Sequence, residues 1–292
     1  MLSELTAIVA PVFICAGIGY AWVRFGLTYE REFVTNMAIH VATPALIFST
    51  LAKLEVTPSA FFEMIGLTVL SIAAVALVGL AMLLPLGWSP RKYLPVLLFG
   101  NTGNMGLPLC LFAFGQEGLS LGIAVFVIGA IGMFVSAPAL AAGRLDWRQI
   151  VYSPTYYGIA AGLICMAFAV ALPKWLTNTV DILGGMAIPL MLVTLGASLA
   201  GLTIKSFARS VTLSVLKVAA GLAVGVALAA LFGLTGAPRG VLIIQSAMPT
   251  AVFVYLFAAR HDVVPDEVAS VVLVSTFLCF VTLPLILVIA LP

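Results

Sequence analysis

The chain is 292 residues long, 63% of them hydrophobic and 8% charged, with a formal net charge of +2. A balance this near neutral excludes a basic nucleic-acid-binding surface, and so few charges exclude an ordinary soluble domain. Apolar runs that can cross a hydrocarbon core of about 30 Å, which takes about 20 helical residues, recur along the whole chain and imply an integral membrane protein.

The N-terminal MLSELTAIVAPVF lacks a basic region and its apolar run continues to Trp22, so a retained first span is expected rather than a cleaved signal. Cutting at charged or Pro/Gly-rich breaks predicts ten helices, at 5–23, 33–51, 60–86, 93–115, 119–142, 156–172, 179–199, 207–231, 241–259 and 268–291. If the spans alternate, Arg24, Arg31, Arg91, Lys92, Arg144, Arg148, Lys205, Arg209 and Arg260 fall on one side, and Lys53, Lys174 and Arg239 on the other. The basic excess places the first side in the cytoplasm and both termini outside it. Cys15, Cys110, Cys165 and Cys279 lie inside apolar runs without metal-ligand spacing and read as packing residues.

Internal symmetry follows. Pro44 opens PALIFSTLAKL in the second span and Pro189 opens PLMLVTLGASL in the seventh; LFAFGQEG and LFAARHDV follow the fourth and ninth. Five spans form an odd number, so a second copy of the unit must enter from the opposite face. The expected fold is all-α, with two inverted five-helix repeats at 1–145 and 150–292, a design associated with alternating-access carriers.

Gly100 to Leu109, GNTGNMGLPL, interrupts the fourth span with three glycines, a proline and two asparagines, and its counterpart in the ninth is IIQSAMPTAVFVY. Unwinding frees backbone groups, and a proline after the break suits the first turn of the next half-helix, whose N–H groups carry partial positive charge. Two such ends meeting would attract an anion without a buried lysine or arginine. Gly103 and Gly106 would permit close approach, and Asn101, Asn104, Gln245, Ser246 and Thr250 would supply hydrogen bonds. The competing reading is that Pro108 and Pro249 only kink continuous helices.

NTGNMGLPL and QSAMPTAVFVYLFAARHDVVPDEVAS resemble the fourth- and ninth-helix motifs of the auxin efflux carrier family, and VATPALIF and GGMAIPLMLVTLGASLAG resemble its second and seventh. That resemblance implies a ten-helix inverted repeat in which broken helices 4 and 9 cross. Spans 3–5 and 8–10 would form a moving core, and spans 1, 2, 6 and 7 a scaffold, commonly dimeric. It implies elevator-like transport of small organic anions and assigns the crossover to Asn101, Pro108, Gln245 and Pro249; with the residues at the two interruptions, the expected substrate site is Asn101, Asn104, Met105, Gly106, Pro108, Gln245, Met248, Pro249 and Thr250. The short connection after Ala142 matches the compact bacterial type, in the cell (inner) membrane, and the third span lacks the acidic residue that plant carriers place there.

Asn101, Thr102, Ser136 and Gln245 could ligate a coupled Na⁺, His40 could have a proton-linked role, and Lys217 could couple transport as a substrate or counter-ion group; no other cofactor or metal is expected. Alternatively, His40 hydrogen-bonds a neighbouring helix, and Lys217, about two turns beyond Arg209, snorkels to the interface. Glu63, Asp181 and Glu267 sit near span ends and are expected to be solvated. No nucleophile–base pair stands out, so an enzyme is not expected. Other readings are a bile-acid-type symporter coupled to Na⁺ or H⁺, a cation–proton antiporter, and a membrane sensor or channel.

Overall fold

The computed structural model describes residues 2–53, 56–142, 154–168, 170–204 and 207–291, with the backbone alone at 2, 4 and 134–142. Secondary structure in these residues is helical: α1 (Leu2–Arg24), α2 (Arg31–Lys53), α3 (Pro58–Leu83), α4 (Pro90–Leu98), α5 (Leu107–Ala142), α6 (Pro154–Phe168), α7 (Lys174–Ala200), α8 (Phe207–Leu231), α9 (Gly236–Ser246), α10 (Val252–Arg260) and α11 (Pro265–Ala290). Among the described residues seven helices are long and apolar enough to cross a membrane, which makes this a multi-pass membrane protein.

Seven differs from the ten predicted, for local reasons. The fourth and ninth predicted spans are each divided by an interruption, into α4 and the start of α5, and into α9 and α10. The fourth and fifth share α5, bent at Gly115, whose φ of 62° and ψ of −149° are open to glycine alone at little cost. The sixth, α6, has only 15 residues. The short connection at 143–153, with Arg144 and Arg148, lies outside the described residues.

Prolines shape the rods. Pro44 has no N–H to offer the His40 carbonyl, and the turn before it, Ala38–Ala42, widens to π geometry inside α2. Helix α3 starts where Thr57 accepts the Ala60 N–H ahead of Pro58.

The helices pack in two sets. α1 lies along the second half of α7, and α2 packs on α6 and on the first half of α7. In the other set α8 packs on α9 and α11, α5 on α3 and α9, and α4 on α3. Small residues let these backbones approach: a Cβ on Gly221 of α8 would collide with the carbonyl of Ser246 at the end of α9.

Candidate functional site

Helix α4 stops at Leu98 because Phe99 turns extended and the glycines and asparagines that follow favour non-helical backbone. Helix α9 stops at Ser246: Pro249 disfavours helical geometry at Met248 and has no N–H for a continuing ladder. The two interruptions lie against each other as an isolated antiparallel bridge between Gly100 and Thr250. The Asn101 N–H donates to the Pro249 carbonyl at 2.6 Å and the Ala251 N–H to the Phe99 carbonyl at 3.0 Å. Thr250 secures the crossing, its N–H donating to Ser275 Oγ at 3.1 Å and its hydroxyl to the carbonyl of Val96, in the last turn of α4, at 2.9 Å. Much of the backbone freed by the two breaks is therefore re-paired, as a low-dielectric setting demands.

What stays unpaired borders a cavity of about 80 Å³. Helix resumes at Thr102 and again at Val252, and Thr102, Gly103, Asn104 and Phe253, from these first turns, line the wall. Two amide side chains contribute. Asn101 and Gln245 are 5% and 2% exposed, and Asn101 Nδ2 and both polar atoms of the Gln245 carboxamide lack hydrogen-bond partners. Gln245 is wedged between Gly106 and Gly122, with the sulfur of Cys110, a weak acceptor, beside it. Unpaired buried amides cost about 1–3 kcal/mol each, so their retention at one cavity marks a place where a solute can complete them.

Lys217 joins them. Its side chain is 2% exposed, and Nζ lies 3.6 Å from the position that a Cβ on Gly100 would take. It does not snorkel, because Lys217, Gly221 and Gly225 recur every four residues and form one stripe of α8 pressed onto α9. The glycines draw the helices so close that the lysine on the same face is carried into the interior. This corrects the expectation of an anion site without a buried cation. A helix end carries roughly half a charge, whereas a protonated lysine carries a full one, and a charged lysine within a membrane costs about 2.5–3.5 kcal/mol unless compensated.

Of the other residues singled out from sequence, Asn104 and Thr102 line the cavity with Asn101 and Gln245, whereas Met105, Gly106, Pro108, Met248, Pro249 and Thr250 do not. Met105 and Met248 are fully buried in the apolar core; Gly106 makes room for Gln245; Pro249 and Thr250 hold the crossing. Pro108 is the second residue of α5 and so occupies the expected first turn, preceded by a π turn at Thr102–Gly106, whereas Pro249 sits within the interruption itself. Ser136 belongs to the stretch whose side chains lie outside the description. His40 is exposed and bonds the Asn36 carbonyl of its own helix at 3.1 Å, not a neighbouring helix.

Two acidic residues expected to be merely solvated have partners. Asp181 pairs with Lys53 and accepts from Ser49, linking α7 to α2; Glu267 accepts from Arg209 at 2.9 Å and from the Tyr93 hydroxyl at 2.6 Å, linking α11, α8 and α4. Glu63 is exposed, as expected. Among the described residues no group of three or more metal-ligating side chains converges.

Comparison with known proteins adds an independent line. The profile of a family described as membrane transport protein matches residues 5–142 and 137–287. The chain is 26% identical to an uncharacterized transporter of Methanocaldococcus jannaschii, over 92% of this chain and 93% of that one. It is 24% identical to an uncharacterized transporter of Methanothermobacter thermautotrophicus, over 96% of each. It is also 24% identical to a protein of Rhizobium meliloti named "Putative malonate transporter", over 96% of this chain and 94% of that one.

Proposed function

The chain belongs to the membrane transport protein family, that of the auxin efflux carriers and their bacterial relatives, and from that premise we propose that it is a secondary transporter of small organic anions. The observation that carries the reading is the meeting of the two interruptions at Gly100 and Thr250, beside a cavity holding the unpaired amides of Asn101 and Gln245. A water needs roughly 10–15 Å³ by the same measure, so about 80 Å³ admits a solute of only a few heavy atoms. Small mono- and dicarboxylates fit that limit, and the name of the Rhizobium meliloti relative agrees with it.

In this reading ten spans form two inverted repeats, and the closer packing of α1, α2, α6 and α7 on one another than on the other helices supports a scaffold against which a core moves like an elevator. A dimer through the scaffold, the bacterial inner membrane, and both termini outside the cytoplasm belong to the same proposal. Asn101, Thr102 and Gln245 line the cavity where a coupled Na⁺ would have to bind. With the cytoplasm negative, an exported monoanion gains about 2.3 kcal/mol per 100 mV, so export runs as uniport whereas uptake needs a coupled cation. A cation–proton antiporter is disfavoured because no carboxylate is among the described residues lining this cavity.

The test is counterflow in proteoliposomes with radiolabelled mono- and dicarboxylates, with Na⁺, pH and voltage varied separately. Saturable exchange of at least one carboxylate is expected; no counterflow with any of them sinks the proposal.

A further inference from the structure

Lys217 specifies the solute that this cavity takes, an inference that rests on the transporter reading above. The lysine lines the same cavity as Asn101 and Gln245 and is buried. No acidic side chain among the described residues pairs with it; the ion pairs of Asp181 and Glu267 are made with Lys53 and Arg209. Besides the two amides, the polar side chains on the wall are those of Thr68, Thr102 and Asn104 and of Ser71 and Ser246, whose hydroxyls bond each other at 3.1 Å. Hydroxyls and amides can solvate an ammonium but cannot neutralise it. An unneutralised buried cation is held at a steep cost, and no carboxylate among the described residues lining the cavity relieves it, whereas an anionic solute can.

We propose that Lys217 is the cationic anchor of the site and that the site accommodates one ionised carboxylate group per solute. The donor set matches that group: one ammonium, the unpartnered Nδ2 of Asn101 and Nε2 of Gln245, and the first-turn N–H groups near Thr102, against two oxygens with about four lone-pair positions. Lys217 is the single charged side chain among the described residues on the wall, whose remaining surface is largely apolar, with Ile72, Val75, Val125, Phe126 and Met133. A second ionised carboxylate would enter this apolar space without a counter-charge. The class selected is therefore a small monoanionic carboxylate, either a monocarboxylic acid or a dicarboxylic acid with one group protonated or esterified.

The test compares malonate with its monomethyl ester in wild-type, Lys217→Met and Lys217→Arg proteoliposomes, at a pH well above the second ionisation of malonic acid. In the wild type the half-ester should show a KM at least about tenfold below that of malonate. In K217M its KM should rise at least about tenfold, the factor carried by one strong charge-assisted hydrogen bond, and K217R should recover part of that loss. A wild-type preference for the dianion overturns the one-charge rule, and an unchanged KM in K217M overturns the anchor. Methionine fills similar volume and removes a buried charge, so K217M should fold. If it does not, the wild type in detergent decides: the half-ester must raise Tm and the uncharged dimethyl ester must not, and equal shifts overturn the proposal. Absence of all counterflow by the wild type sinks the transporter reading instead, and the thermal-shift comparison still tests Lys217.

Discussion

The Asn101 N–H and the Pro249 carbonyl meet at 2.6 Å, so each interruption is the hydrogen-bonding partner of the other. A lone break in an apolar helix would leave its backbone groups without partners, at several kcal/mol each. Paired breaks satisfy most of that demand and leave the remainder concentrated at one cavity.

The unpaired amides give a prediction in which stability and activity separate. Gln245→Ala removes two buried polar atoms, and Asn101→Ala one, that have no hydrogen-bond partner among the described residues, so neither variant should lose stability, and Gln245→Ala should gain about 1 kcal/mol. Counterflow should nevertheless fall at least about tenfold in each. Thermal unfolding in detergent and proteoliposome flux, measured on the same preparations, check both halves; wild-type turnover would remove these residues from the site.

Ser275 supports the crossing from α11. Its hydroxyl accepts the Thr250 N–H at 3.1 Å in a fully buried setting, so Ser275→Ala should leave a buried N–H unsatisfied and cost about 1–3 kcal/mol. The expected result is a lower Tm together with reduced flux. A silent substitution would show that the crossing holds without this bond.

Glycines on α8 and α1 should respond in opposite ways. Gly221→Ala puts a methyl group into the Ser246 carbonyl, backbone that cannot swing aside, and overpacking of this kind costs about 1–3 kcal/mol. Gly17 of α1 has open space where a Cβ would go, and Gly17→Ala should be neutral or stabilise by up to about 1 kcal/mol through helix propensity. Comparing their melting temperatures tests whether the α8–α9 approach is as close as described.

At the far end of α8, Arg209 ties Glu267 and Tyr93 together and lies 5.4 Å from the centre of the Trp88 ring. The pair is partly solvated, at 41% and 22% exposure, so solvent screening limits its worth. Glu267→Gln should cost about 0.5–1 kcal/mol, a loss that shrinks as salt is raised. A melting-temperature series across ionic strength reads this directly, and a salt-independent loss would argue for packing rather than charge.

The sequence by itself determined that the chain crosses a membrane, where its helices are interrupted, and that Asn101 and Gln245 stand at the interruptions. These are local matters: apolar run length sets a span, and glycine, proline and asparagine act on the few residues around them. The role of Pro249 was less legible than that of Pro108, because a proline marks a disturbed turn without saying whether the break precedes or contains it. Asp181 and Glu267 read as solvated because their partners, Lys53 and Arg209, lie far off in sequence. The inward lysine did leave a trace in the four-residue spacing of Lys217, Gly221 and Gly225, but a stripe of small residues says that a helix is approached closely and not by what. Only the tertiary structure decided that α9 is what approaches, and hence that Lys217 is buried. Whether a charge is solvated depends on everything that packs around it, and that neighbourhood is assembled from segments that the sequence keeps apart.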